Sequence, residues 1–179
     1  MARLFIFALT LLNFFATSVC AQATCSVDTI KADFVQVGRS LAIVDHDILA
    51  LPDTGATLAQ VLKVHTDLVS VTNNVDVTTR DLSVCRSIPA SDFPGLVDGF
   101  RAVVEALKEV CQDFVSKKAV FGAFPNAVTQ LKEDLRDLAA SVAALEQAIV
   151  GLAPDDLKSQ VQDLSDEANA AIAAAQAAF

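Results

Sequence analysis

Two histidines are the residues that first invite a chemical reading. His46 stands between Asp45 and Asp47, and a histidine oriented by a carboxylate can serve as a general base. Sequence neighbours point to different sides of a helix, however, so this triplet reads as a solvated charged face. His65 differs because it falls on an apolar stripe. It is read either as a core histidine held by a neighbour or as a polar anchor for the carboxylate of an apolar ligand. The paired acids Glu133-Asp134 and Asp155-Asp156 have the character of surface solubilisers and helix-start charges. Neither a G-x-S-x-G nucleophile elbow nor an H-E-x-x-H zinc motif occurs, and no cysteine pair has metal-ligand spacing. The expectation is a protein that is not an enzyme, with no metal and no cofactor.

The elements that carry these residues must come from an apolar, acidic chain. Of 179 residues, 53% are hydrophobic and 20% charged, so a sizeable core can form. The formal charge of −9 and the calculated pI of 4.5, without any Lys/Arg cluster, argue against nucleic acid and against adsorption to anionic lipid. Tryptophan and tyrosine are absent beside 11 phenylalanines, which removes the rings most used to grip sugars and single-stranded bases.

Residues 1–23 (MARLFIFALTLLNFFATSVCAQA) have a basic start, an apolar run from Leu4 to Phe15 and a small-residue end at Ala21-Gln22-Ala23. This pattern predicts a cleaved secretory signal peptide, leaving residues 24–179 as one secreted domain. No later stretch is long and apolar enough to span a membrane. No Asn begins an N-glycosylation triplet.

Beyond residue 23 every proline falls in a short breaker cluster with glycine: Pro52 with Gly55, Pro89 and Pro94 with Gly95, Gly122 with Pro125, Gly151 with Pro154. Between clusters the spacing is helical. Ile30, Phe34, Val37, Leu41, Val44 and Ile48 place one apolar stripe on a helix from Ser26 to about Leu51. A second helix, Ala56 to about Leu82, has a more polar stripe of Leu58, Leu62, His65, Leu68, Thr72, Val75 and Leu82. The third, Ser91 to about Lys118, is capped by Ser91 and carries Phe93, Leu96, Phe100, Val103, Leu107, Cys111 and Phe114. Pro125 opens the fourth, whose stripe includes Leu131, Leu135, Leu138, Val142 and Leu145. Pro154 with Asp155 and Asp156 opens a fifth that thins to alanine. Broad stripes and short links predict an all-α, up-down bundle of about five amphipathic helices with antiparallel neighbours.

With Cys20 in the leader, Cys25, Cys85 and Cys111 remain, an odd number. Cys25 and Cys85 meet at one end of such a bundle, whereas Cys111 lies on the order of 30 Å further along the axis at 1.5 Å per residue. A Cys25–Cys85 disulfide and a buried free thiol at Cys111 follow.

The stretches SVDTIKADFVQVGRSLAIVDHDILALPDTGATLAQVLKVHTDLVSVTNNVD and FPNAVTQLKEDLRDLAASVAALEQAIVGLAP, with the terminal AAIAAAQAAF, resemble the fungal hydrophobic surface binding protein A family, which includes the cell wall galactomannoproteins. The likeness covers nearly all of residues 24–179. The cysteines depart from the family's usual pattern and imply a cysteine-bearing branch. The resemblance implies a secreted or cell-wall bundle that binds hydrophobic surfaces or fatty-acid-like lipids, with a secreted esterase or cutinase as an implied partner; the large negative charge predicts that the free protein is a monomer. No residue-level motif transfers with it. The apolar faces nominated to line an interior cavity are those of Phe34, Leu41, Leu62, Leu68, Phe100, Val103, Leu107, Phe114, Leu135, Leu138 and Val142, with His65 as the polar anchor. Two other readings compete: a helical inhibitor or adaptor of a secreted enzyme, and a structural cell-wall protein with a ligandless core.

Overall fold

The computed structural model describes residues 25–179. The signal peptide expected over residues 1–23 lies outside the described residues. Six helices follow in order: α1 Val27–Leu49, α2 Leu58–Ser83, α3 Phe93–Ser116, α4 Lys118–Gly122, α5 Pro125–Leu152 and α6 Asp155–Ala177. There is no strand among the described residues. The Val- and Thr-rich stretch from Val69 to Thr79, the nearest approach to a strand in the sequence, lies wholly within α2.

Helix starts follow local chemistry. The Ser26 hydroxyl accepts the Thr29 amide at 3.2 Å, and Thr57 with Gln60 forms a reciprocal capping box that opens α2. Ser91 is not the cap of α3; Asp92 occupies that position with helical rather than extended backbone angles, its side chain accepts no capping bond, and Pro94 in the first turn has no N–H that needs one. Pro125 likewise opens α5, and Asp155 and Asp156 place acid in the first turn of α6. The short α4 is a single turn between Lys117 and Ala123 that buries Val120 and Phe121.

The long helices form a closed ring in the order α1, α2, α5, α6, α3 and back to α1. Chain neighbours are therefore not always packed neighbours. The chain passes from α2 to α3 across the end of α1, and from α3 through α4 to α5 across the opposite end. Lys117 ties this second crossing down by donating to the Leu51 carbonyl at 2.9 Å and to Asp53 at 2.6 Å. At the first crossing Cys25 and Cys85 are joined in a disulfide. The core is the ring's interior, filled by residues such as Ile30, Leu68, Phe100, Phe114 and Leu135. At one end Phe114, Phe121 and Phe179 meet in succession, the first pair tilted and the second edge-to-face, with centroids 5.6 and 5.8 Å apart.

The stripe of α2 differs from the sequence expectation. The buried positions are Val61, Val64, Leu68, Val71, Val75, Thr78 and Leu82, whereas Leu58 and Leu62 are 49% and 43% exposed. Valines at 61, 64 and 71 complete a stripe rotated toward the ring centre. Leu62 and His65 sit on its flank, on the side facing α5, and Leu58 is exposed at the start of the helix.

Candidate functional site

Packing separates the nominated lining residues into three groups. Leu41, Leu68, Phe100, Leu107, Phe114, Leu135, Leu138 and Val142 are buried in the continuous core and fill the interior with side chains. Phe34 and Val103 are also buried, but they border a lateral groove between α1 and α3. Leu62 is corrected from an interior to a half-exposed position; it lines, with His65 and Phe121, a slot of about 10 Å³ between α2 and α5. That volume is about one water probe, so it holds no acyl chain.

His65 has a partner that the sequence did not suggest. Its Nδ1 lies 2.6 Å from Oδ2 of Asp134, a buried carboxylate whose Oδ1 also accepts from the Gln130 amide at 3.2 Å. The pair stitches α2 to α5 and satisfies Asp134 inside the protein. A ligand carboxylate at this histidine would meet the Asp134 charge first.

Concavities of about 400 Å³ beside α4, the start of α5 and Phe179 and of about 350 Å³ between α5 and α6 join chain neighbours. Two apolar concavities lie instead between helices that are neighbours only in the ring. One, of about 470 Å³, runs between α3 and α6 and is lined by Cys111, Val115, Ala170, Ala171 and Ala174, with Lys108, Gln112 and Glu167 at its edge. It exists because α6 presents alanines where the other helices present Leu or Phe, leaving room beside the α3 backbone. Lys108 donates to Glu167 at 2.7 Å, and that hydrogen bond raises the Lys108 pKa above its ordinary value. The edge is therefore electrically balanced. Cys111 at the base is unpaired among the described residues, and burial pushes its thiol up to about 12. A thiol so protonated is a small apolar surface rather than a nucleophile.

The second groove, of about 260 Å³, is the one between α1 and α3. Gly95 and Gly99 of α3 let α1 approach closely: a Cβ at Gly99 would lie 2.9 Å from Phe34 Cδ2, and one at Gly95 would lie 3.1 Å from the Lys31 stem. Gly38 faces the same groove from α1, yet a Cβ there would meet nothing within 4 Å.

Two acid pairs also bridge α1 to its neighbours. Asp113 on α3 is raised to about 6, first by burial, then by a hydrogen bond with Asp45 of α1 and the charges of Asp45 and Glu109, against a lowering by Lys117. Asp33 on α1 is raised by burial and then by Asp81 of α2, and its Oδ2 is buried without a hydrogen-bond partner. Among the described residues no group of three or more His, Cys, Asp or Glu could hold a metal ion.

The residues that sequence reasoning missed are Lys108, Val115 and the α6 alanines in one groove, and Lys31, Gly38, Gly95 and Gly99 in the other. A signal existed for the glycines. Gly38 sits within a helix, where glycine costs about 1 kcal/mol relative to alanine, and Gly95 and Gly99 share one helix face.

The fold is an all-α bundle of amphipathic helices closed into a ring, with apolar grooves between its helices. The chain belongs to the hydrophobic surface binding protein A family, whose model matches residues 27–151. No curated protein matches its sequence. Its fold is similar to that of Afmp4p, in a structure with palmitic acid: TM-score 0.80, 19% identity, covering 86% of this chain and 99% of that one. It is also similar to ligand binding domain 1 of Penicillium marneffei MP1 protein, solved with arachidonic acids, at TM-score 0.77 and 19% identity over 86% and 97% of the two chains. Domain 2 of the same protein, complexed with multiple arachidonic acids, aligns at TM-score 0.78 and 14% identity over 87% and 97%.

Proposed function

We propose that this chain is a secreted, non-enzymatic protein that binds hydrophobic surfaces or fatty-acid-like lipids, and that the groove between α3 and α6 takes the acyl chain. The observation that carries the reading is that groove: about 470 Å³, apolar at its base and charge-balanced at its edge. Its size falls within the roughly 300–1,000 Å³ of small-ligand sites. Each methylene removed from water contributes about 0.8 kcal/mol, so an acyl chain laid on Cys111, Val115 and the α6 alanines gains enough for micromolar binding after ordering costs. Because Glu167 already occupies the Lys108 ammonium, the groove is indifferent to the charge of the head group. Family membership and the fatty acids in the similar structures support the same reading. Half-exposed Val35, Ile43 and Leu49 on α1, and Leu58, Leu62 and Val69 on α2, supply apolar contacts for adsorption to a surface. Recruitment of a secreted esterase or cutinase by the monomer extends the proposal, and pull-down with the purified chain tests that extension.

Purified protein should release acyl chains on organic extraction, read by mass spectrometry, and should bind a fluorescent fatty acid saturably. Ala174→Phe, which sets a ring over the groove, should abolish saturable binding. A clean extract and no saturable binding would refute the groove assignment and leave only surface adsorption.

A further inference from the structure

We infer that the groove between α1 and α3 is a second binding site, selective for an anionic amphiphile with a single medium-length chain, with Lys31 as the group that reads the negative charge. It is separate from the α3/α6 groove, and its success or failure is read on different residues.

The lining is apolar apart from one side chain. Phe34, Val35, Ala102 and Val103 form the walls, with the glycines between them, and Lys31 is the only charged group on the groove. Among the described residues Lys31 forms no ion pair. Asp98, one turn along α3 from Gly95, is held by Arg101 at 2.8 Å, and Asp28 on α1 makes no bond to Lys31. The Lys31 stem lies across Gly95, which fixes the ammonium at one end of the groove, where a Cβ on Gly95 would come within 3.2 Å of Nζ. The contrast with the other groove is one of charge: Lys108 is neutralised by Glu167, whereas Lys31 offers an unanswered positive charge. In a chain of net charge −9, an unpaired lysine whose stem lies against an apolar trough offers an anion a place where the local charge favours it. The volume of about 260 Å³ lies below the usual range of small-ligand pockets, so the occupant is one chain shorter than that taken between α3 and α6.

Gly38 supplies a test that leaves the fold intact. Because a Cβ there meets open space, a leucine side chain at that position would lie in the groove without displacing core atoms, and the substitution favours the helix. Decanoate and decanol, each below its aggregation limit, would be titrated at neutral pH into the isotope-labelled protein, and amide shifts followed by NMR. Decanoate should shift Gly38, Gly95, Gly99 and Ala102 saturably, Gly38→Leu should remove those shifts while its spectrum stays that of a folded bundle, and Lys31→Met should weaken decanoate about five-fold but leave decanol unchanged. Equal binding of the two probes here, insensitivity to Lys31→Met, or unaltered decanoate shifts in Gly38→Leu would each overturn the site. Shifts confined to Val115, Ala170 and Ala174 would overturn it while supporting the α3/α6 groove, and shifts at neither set would overturn both.

Discussion

Replacing Asp113 by asparagine should stabilise the protein at neutral pH and do nothing below about pH 4. A carboxyl held near 6 rather than 3.8 binds its proton more tightly in the folded state, by about 3 kcal/mol if nothing screened it. The side chain is half-exposed at the α1/α3 junction, so water screens the charges of Asp45 and Glu109 and about 1 kcal/mol is expected to survive. The direction follows from linkage. The folded-state pKa is raised, so its contribution to stability is fully present below the unfolded value of 3.8 and is lost as pH rises through about 6. Asparagine cannot ionise and so avoids that loss. Urea unfolding of wild type and Asp113→Asn at pH 3.5, 5 and 7.5 should give a difference that grows from zero to about 1 kcal/mol across the series. A variant equally or less stable at pH 7.5, or a difference that ignores pH, would refute the assignment of a shared proton between Asp45 and Asp113.

Two of the three groove glycines should respond with opposite sign in the same assay. Gly38→Ala should raise stability by about 0.5–1 kcal/mol, since its Cβ enters open space and the unfolded chain loses freedom, whereas Gly99→Ala should lower it by about 1–3 kcal/mol because Phe34 must move; matching signs would contradict the close approach of α1 and α3. Cys85→Ser opens a cross-link between residues 60 apart in sequence and should cost about 4 kcal/mol by the chain-entropy estimate, read as a lower unfolding midpoint than the wild-type protein without reductant. A loss below about 1 kcal/mol would mean that the crossing from α2 to α3 holds the chain ends without the bond.

Most of the helical pattern was legible because it is local. The stripes of α1, α3 and α5 follow from apolar spacing of three and four, and Pro94 and Pro125 sit in the first turns of α3 and α5 as their missing N–H allows. The stripe of α2 was misread for a physical reason. Leucines at 58 and 62 outweigh valines at 61 and 64 in hydrophobic bulk, but burial went to the β-branched face, and the leucines were left exposed, Leu62 on the edge beside α5. Nothing within α2 announces this choice. It is made by the partner helix, through Asp134, whose burial is explained only by His65 and Gln130. The single turn of α4 was hidden for a similar reason: Lys118–Gly122 is too short to show a period.

The sites were less legible than the fold because both grooves belong to helix pairs rather than to helices. An interior cavity was the natural expectation from eleven apolar positions that share the core-facing stripes, yet large side chains on facing stripes fill the space between them, and most of those positions did so. Space remains where one partner is small. On α6 the alanines can be counted in the sequence, but whether they face α3, α5 or solvent depends on the ring closing as α5, α6, α3. Gly38, Gly95 and Gly99 carry the same lesson with more force. As isolated residues they are costs to helices, and only the packing of α1 against α3, two helices separated in the chain by the whole of α2, turns them into one groove with Lys31 at its end.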